Sequence, residues 1–194
     1  MPESRFKRQL VVDANIQSHA RVLDLGCGTA TLTILIKTMH PDADVVGVDG
    51  DAKILELGRQ KAVRAGLEVN LTQAMAFNLP YADSSFDRVL SSLMFHHLTR
   101  ENKLRTLKET DRVLRTGGEI HIADFGRPQN VLMRVASLPW QLFDRSTTTT
   151  DNVRGLLPEL MSASGFKDVR QRVRYMTLFG RLCLYSGRKD AVQS

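Results

Sequence analysis

Short apolar runs alternate with longer helix-like segments along most of this chain, and this alternation constrains its fold more than any other feature. The runs are rich in leucine or β-branched residues and are bounded by Gly, Asp or Pro, as buried parallel strands are. They occupy residues 22–25, 45–48, 69–71, 86–90 and 119–123. Helices are predicted between them at residues 29–39, 51–65 and 100–114. Alternating strands and helices imply right-handed crossovers, so we predict an α/β fold with a doubly wound, mostly parallel sheet and helices on both faces.

The pattern changes after Gly126. Residues 128–151 are predicted to form an irregular insert on the substrate side, and residues 152–163 a helix. Two strand-like runs, 166–175 and 181–186, are too close together for a helical crossover, so we expect a C-terminal antiparallel hairpin. With a helix within residues 1–20, the 194 residues are expected to form a single domain.

Charge and cysteine content narrow the class of protein. The net charge is +6, but the Lys and Arg residues are spread along the chain rather than gathered in a block, which argues against a nucleic-acid partner. Arg170, Arg172 and Arg174 alternate, which we interpret as a guarded sheet edge, with a polyanion site as the alternative. Two cysteines, an N-terminus charged where a signal peptide is apolar, and no apolar run of about 18 residues predict a cytoplasmic protein without a membrane span.

The strongest functional motif is VLDLGCGTAT, in which a buried strand ends in a Gly-x-Gly turn that leads into a helix. Gly26 and Gly28 lack a Cβ atom, so a ligand can approach the backbone closely. The pyrophosphate of a dinucleotide could also bind such a turn. Asp24 would repel a pyrophosphate but suits an ammonium group, and Thr31 stands where a dinucleotide-binding helix has its third glycine. An acid that closes the next strand, Asp49, can accept both hydroxyls of a ribose in either kind of ligand.

These motifs resemble those of a known enzyme family. VLDLGCGTATLT resembles the first motif of the class I S-adenosylmethionine-dependent methyltransferases, and VVGVDGDAKIL resembles the second. NLPYADSSFDRVLSSLMFHHL is similar to the stretch around the third and fourth motifs, and RVLRTGGEIHIADFGRP to the segment with the fifth strand. The matches follow the order and spacing of the family over residues 21–128, and the chain most resembles the ubiquinone/menaquinone C-methyltransferase-like group (methyltransferase type 11/25).

The resemblance implies a Rossmann-like transferase that binds S-adenosyl-L-methionine and methylates a small molecule in a cleft at the C-terminal ends of the strands. Gly26 and Gly28, with Asp24 beneath them, would cradle the methionine half of the cofactor, and Asp49 would hold the ribose. The loop after the third strand would cover the adenine, and the end of the fourth strand would approach the amino acid. The implied cofactor-binding residues are Asp24, Gly26, Cys27, Gly28, Asp49, Gly50, Met75, Ala76 and Ser92.

Met75 departs from the pattern of the family. Many members have an acid at this position, which accepts a hydrogen bond from the adenine amino group, and a thioether cannot replace it. The loss would cost about 1.5–3 kcal/mol, or one to two decades of cofactor affinity. The alternative interpretation is that Met75 fills the core.

Candidate catalytic residues follow the fourth and fifth strands. Methyl transfer is an in-line displacement in which orientation supplies much of the rate, and a general base is optional. His96 and His97 are candidate bases because imidazole accepts a proton near neutral pH, and Asp124 is a third candidate. The candidate acceptor-binding residues are Phe95, Arg127 and Trp140. No metal site is expected, and the sequence does not determine the acceptor or the oligomeric state.

Three alternative functions remain open at this point. An RNA methyltransferase would agree with the basic charge, but Ser91-Ser92-Leu93-Met94 does not resemble the motif of amine-methylating enzymes. A non-catalytic S-adenosylmethionine-fold module is favoured by Met75 and by the short N-terminal segment. A nicotinamide-dependent oxidoreductase is disfavoured by Asp24 and Thr31.

Overall fold

The structure, a computed structural model, describes residues 3–125, 156–177 and 180–190. Its elements are α1 (Glu3–Asp13), β1 (Arg21–Leu25), α2 (Thr31–Met39), β2 (Asp44–Asp49), α3 (Ala52–Arg64), β3 (Asn70–Gln73), β4 (Phe86–Ser92), a 3₁₀ turn (Phe95–His97), α4 (Arg100–Val113), β5 (Leu114–Phe125), α5 (Leu157–Ala163), β6 (Lys167–Thr177) and β7 (Gly180–Arg188). These strands form one seven-stranded sheet in the order β3-β2-β1-β4-β5-β7-β6. The predicted α/β fold is therefore confirmed.

The strand pairing explains where ligands can bind. β3, β2, β1, β4 and β5 run parallel, and Asp24 of β1 lies opposite Gly47 of β2 and Leu90 of β4. β7 runs antiparallel to both β5 and β6, so the predicted hairpin is confirmed. From β1 the chain adds β2 and then β3 on one side of the sheet. It then returns to the other side of β1 and adds β4 and β5, so the direction in which strands are added reverses between β1 and β4. In open α/β sheets such a reversal leaves a crevice at the carboxyl edge.

Helices cover both faces of the sheet. Successive side chains of a strand point to opposite faces of the sheet. Neighbouring residues of β1 therefore pack in different hydrophobic cores, one on each face. Val22 packs with α1 and α2, whereas Leu23 packs with residues of α4 and α5. Cys27 belongs to a small third cluster with Ala30, Leu55 and Leu71, beside α3.

Several element boundaries differ from the sequence prediction, among them the starts of α2 and β5. α2 begins at Thr31 rather than at residue 29, because Ala30 has a left-handed backbone with φ 57° and cannot continue a helix. β5 begins at Leu114, directly after α4, and therefore includes residues 114–118, which were not predicted as strand. The predicted insert 128–151 lies outside the described residues, as do residues 152–155 of the predicted helix.

The arginines of β6 lie at the edge of the sheet, as the guarded-edge interpretation requires. β6 is the last strand in the sheet order, and Arg170 and Arg172 are exposed. Charged residues on an edge strand discourage pairing with a further chain.

Candidate functional site

The Gly-x-Gly turn lies at the carboxyl edge of β1 and is attached to β2 by its own backbone. The N–H groups of Gly26 and Cys27 both donate to the carbonyl of Val48, over 2.8 and 2.9 Å. The N–H of Gly28 donates to Oδ2 of Asp49 over 2.9 Å. Three successive amides are thus engaged within the protein and do not form the cradle that binds a pyrophosphate. This geometry argues against a dinucleotide.

The two glycines of the turn have different surroundings. Both have a positive φ, 71° at Gly26 and 53° at Gly28. A Cβ atom on Gly26 would lie 2.4 Å from Cγ of Met94, so this glycine makes room for a side chain of the protein itself. A Cβ on Gly28 would meet only Ile54, at 4.0 Å. The open approach to the backbone that the sequence predicted at both glycines therefore exists at Gly28, whereas Met94 fills the space beside Gly26.

Asp24 lies beneath this turn as a buried carboxylate. Its side chain is 1% exposed, and its Oδ2 accepts a hydrogen bond of 2.6 Å from the hydroxyl of Thr33 in α2. Its Oδ1 is buried and accepts no hydrogen bond from the described part of the chain. Burial raises the pKa of Asp24 to about 6, although the hydrogen bond from Thr33 and the positive charge of Lys7 oppose the change. A buried carboxylate oxygen without a partner suits the cationic end of a ligand.

Asp49 closes β2 beside the turn. Its Oδ2 binds the N–H of Gly28, and its Oδ1 accepts a hydrogen bond of 3.0 Å from the N–H of Asp51. A carboxylate has about four acceptor positions, so both oxygens can accept further hydrogen bonds from the hydroxyls of a ribose. Asp51 in turn caps α3 by accepting hydrogen bonds from Lys53 and Ile54.

Met75 and Gly50 lie together on the far side of Asp49. A Cβ on Gly50 would be 3.1 Å from Sδ of Met75, so the thioether lies against this glycine. Met75 is 51% exposed, which excludes the interpretation that it fills the core. Ala76 is partly buried against the main core and positions the loop. The thioether is therefore placed to cover a flat ring at the end of β2.

Backbone strain marks the end of β4. Leu93 has φ 58°, which is unusual for a branched side chain, and its N–H donates to Ala123 over 2.8 Å. The Oγ atom of Ser92 is buried and has no hydrogen-bond partner among the residues that the structure describes. By contrast, the hydroxyl of Ser91 donates to Leu25 over 2.8 Å. The unpartnered hydroxyl makes Ser92 a second polar group available to a ligand in this crevice.

His96 and Asp124, both predicted site residues, form a hydrogen-bonded pair. Nδ1 of His96 lies 2.8 Å from Oδ1 of Asp124, and the two residues are 28 positions apart in the chain. The carboxylate also accepts hydrogen bonds from the N–H of His96 (3.1 Å) and of Phe125 (2.6 Å). Since an ionised carboxylate only accepts, Nδ1 is the donor in this contact, and in the neutral imidazole the lone pair is then on Nε2. The arrangement orients one imidazole as a proton acceptor.

The structure corrects three of the predicted roles. Asp124 is 0% exposed and its oxygens accept three hydrogen bonds, so it positions His96 and cannot itself reach an acceptor. Phe95 is also 0% exposed and packs in the main core, so it does not line a substrate pocket. The thiol of Cys27 is buried beneath the turn, where burial raises its pKa, so this side chain packs rather than binds a ligand.

Three predicted residues remain, and the structure describes one of them. His97 is exposed, and its ring lies beside that of His96 at a centroid distance of 3.9 Å. Arg127 and Trp140 lie outside the described residues. Within residues 3–125, 156–177 and 180–190, no cluster of three or more His, Cys, Asp or Glu side chains could hold a metal ion. None of the helices in the same ranges has the length and apolar character needed to cross a membrane.

Two residues that sequence reasoning missed also belong to this crevice. Thr33 holds Asp24, and Lys7 of α1 is only 8% exposed although it is a lysine. Lys7 lies on the same helical stripe as Val11 and Ala14, which are both buried, and this spacing could have identified it.

Comparisons with known proteins agree with this geometry. The sequence profile of the family described as "Methyltransferase domain" matches residues 22–118. The demethylmenaquinone methyltransferase of Deinococcus radiodurans is 30% identical over 202 residues, which cover 95% of this chain and 81% of that protein. The demethylmenaquinone methyltransferase of Thermus thermophilus is 36% identical over 124 residues, which cover 64% of this chain. This segment spans 56% of the Thermus protein, so the chain matches little more than half the length of that relative.

The fold also recurs in solved structures. The YcgJ protein of Bacillus subtilis superimposes with a TM-score of 0.76, and the alignment covers 96% of this chain and 99% of that one. The two sequences are 19% identical, so this likeness concerns the fold alone.

Proposed function

Because this chain belongs to the family of S-adenosylmethionine-dependent methyltransferases, we propose that it transfers the methyl group of this cofactor to a small hydroxylated aromatic molecule. The observation that carries the proposal is the His96–Asp124 pair, which presents an oriented imidazole beside the end of β4. S-adenosylmethionine supplies a methyl group on a positively charged sulfur, which makes that carbon electrophilic.

The crevice has the polar groups that this cofactor needs. The unpartnered Oδ1 of Asp24 suits the ammonium group of the methionine end, and the unpartnered Oγ of Ser92 suits the same end. Asp49 would accept the hydroxyls of the ribose, and Met75 would pack on the adenine. The engaged amides of the Gly-x-Gly turn support a ligand without a pyrophosphate at this position.

His96 acts as the general base in this proposal. Its Nε2 accepts the proton of an acceptor hydroxyl, while the carboxylate of Asp124 accepts the Nδ1–H and stabilises the imidazolium that forms. Asp124 is a positioning residue because it does not reach the acceptor. Proton removal would leave an oxyanion conjugated with the aromatic ring, and an electron pair of the oxygen or of a ring carbon would form the new bond to the methyl carbon while the bond from that carbon to sulfur breaks and its electron pair leaves with S-adenosylhomocysteine. Where a ring carbon is methylated, that carbon would then lose its own proton to solvent and the ring would regain its aromaticity.

A quinol is the acceptor class that we propose. Relatives named demethylmenaquinone methyltransferases include those of Thermus and Deinococcus. A phenolic hydroxyl has a pKa near 10, so a base near neutral pH assists its ionisation. The rings of His96 and Phe125 pack in a T-shaped arrangement at a centroid distance of 5.2 Å, so an aromatic side chain lies beside the proposed base.

Transfer of a labelled methyl group tests this proposal. The purified protein is incubated with methyl-labelled S-adenosylmethionine and a panel of naphthoquinols and phenols, with the oxidised quinones and RNA as comparison acceptors. We expect labelling of a quinol, none of its quinone, and a large loss in His96→Gln. Cofactor binding without transfer to any small acceptor would instead favour a non-catalytic module, and labelling of RNA would favour an RNA methyltransferase.

We further propose a cytoplasmic location for the protein. It is supported by the two cysteines, Cys27 and Cys183, which are both buried and unbridged. Fractionation of the native host with an antibody would test it.

A further inference from the structure

The position of α1 along the sheet places Lys7 near the level of Asp24. Nε of Arg88, in the first half of β4, donates to the carbonyl of Ala14 just after α1, over 2.8 Å. Seven residues of helix separate Ala14 from Lys7, or about 10 Å at 1.5 Å per residue. The same length corresponds to about three residues of β4, at roughly 3.3 Å per residue. Counted from Arg88 toward the carboxyl end of β4, this length places Lys7 near the level of Ser91, one residue beyond Leu90, which is the register partner of Asp24.

Lys7 is buried on the face of the sheet that Asp24 shares. Its neighbours Phe6, Leu10 and Val11 pack in the core between α1, α2 and the sheet, which holds the lysine stem in place. A lysine with 8% exposure is uncommon, because its ammonium group must find compensating negative charge. The charge of Lys7 acts on Asp24, where it opposes the effect of burial on the pKa. The ammonium group is therefore close to the crevice.

Three polar groups thus converge on the methionine end of the cofactor site. Asp24 and Ser92 each contribute a buried oxygen that has no partner in the described residues. The amino acid end of the cofactor carries an ammonium and a carboxylate on one carbon atom, so it needs both an acceptor and donors. Asp24 matches the ammonium, which leaves the carboxylate to be matched.

We propose that Lys7 binds the carboxylate of the cofactor's methionine end, with the hydroxyl of Ser92 as the second donor. α1 thereby becomes one wall of the cofactor site rather than a simple cover of the sheet. This inference deepens the proposed function and depends on its cofactor.

Calorimetric titration with two ligands tests this role. S-adenosylhomocysteine carries the ammonium and the carboxylate, and its decarboxylated analogue S-(5′-adenosyl)-3-thiopropylamine carries the ammonium alone. The proteins compared are the wild type, Lys7→Met, Lys7→Arg and, as a matched charge control, Arg8→Met at the exposed neighbouring position. The titrations are made at pH 8, about two units above the raised pKa of Asp24.

We expect Lys7→Met to weaken S-adenosylhomocysteine binding by roughly ten- to a hundredfold and to leave the binding of the decarboxylated analogue within a few-fold. Lys7→Arg should retain most of the affinity for S-adenosylhomocysteine, and Arg8→Met should bind both ligands like the wild type. An equal loss for both ligands, or no loss for either, would overturn the proposal. If the wild type bound neither ligand, the proposed cofactor would be wrong for this chain. That result differs from one in which the wild type binds both ligands and only the proposed role of Lys7 fails.

Discussion

Replacement of Asp24 by asparagine should stabilise the fold and abolish tight cofactor binding. The carboxylate is buried, and its raised pKa of about 6 measures how much the folded protein disfavours the charge. The charged groups that act on it are Lys7 of α1, which favours ionisation, and Asp49 of β2, which opposes it. Asparagine removes the charge, and its carbonyl oxygen can still accept the hydrogen bond from Thr33.

The size of the effect follows from the pKa. A rise from 3.8 to about 6 corresponds to about 3 kcal/mol of lost stability when Asp24 is fully ionised. The folded state binds this proton more tightly than the unfolded state, so the penalty is absent below pH 3.8 and complete above pH 6. Asp24→Asn should therefore exceed the wild type in free energy of unfolding by about 3 kcal/mol at pH 7 and by roughly half of that at pH 5.

Urea unfolding at pH 7 and pH 5, without cofactor, measures both differences. Glu68→Gln is the matched control, because it removes a negative charge from an exposed position and should change stability little. Calorimetry should show the opposite trend for function, with a large loss of S-adenosylhomocysteine affinity in Asp24→Asn. The reasoning is refuted if Asp24→Asn is less stable than the wild type at pH 7, or if its advantage is the same at both pH values.

Three further predictions follow from the geometry of the site. His96→Gln should lower turnover by roughly 10²–10⁴-fold with unchanged cofactor affinity, whereas His97→Gln should have a much smaller effect; equal losses in transfer assays would contradict the assignment. Gly28→Ala should lower the free energy of unfolding by about 1–2 kcal/mol, because the residue has a positive φ. Gly26→Ala should lower it further, because its Cβ would also lie 2.4 Å from a methionine side chain. Urea unfolding that gave the reverse order would exclude this packing. Met75→Asp should raise cofactor affinity by roughly ten- to a hundredfold, by restoring an acceptor for the adenine amino group; unchanged affinity in calorimetry would place the adenine elsewhere.

Much of the fold could be predicted because the relevant preferences are local. The parallel strands, the three helices between them and the C-terminal hairpin follow from hydrophobic spacing and from the lengths of the connections. The start of α2 was wrong by two residues, because the left-handed backbone of Ala30 has no signal in an alanine side chain. The start of β5 was missed because glycines such as Gly117 and Gly118 usually interrupt a strand, whereas here Gly118 passes close to the backbone of Arg115 and Asp87.

The candidate site was predictable in its residues more than in their roles. His96, Asp124 and Asp24 were identified from their places after or within strands, and all three lie at the carboxyl edge. Phe95 was assigned to the acceptor pocket, but it turns into the core, since the strained residue Leu93 redirects the chain after β4. The helical spacing of Lys7 with Val11 and Ala14 indicates that it lies on the buried face of α1, but its approach to Asp24 depends on how α1 packs against the sheet.

The order of the helices and strands and the chemistry of the Gly-x-Gly turn were determined by local sequence. Hydrophobic periodicity and the backbone freedom of glycine, on which they depend, each act over only a few residues. The pairing of His96 with Asp124 and the approach of Lys7 to Asp24 arose only when distant segments packed together. Those contacts depend on the register of β1, β4 and β5 and on the exclusion of water between them. On an extended chain a carboxylate is surrounded by water. In the folded protein, burial raises the pKa of Asp24, and Asp124 positions His96 through a hydrogen bond.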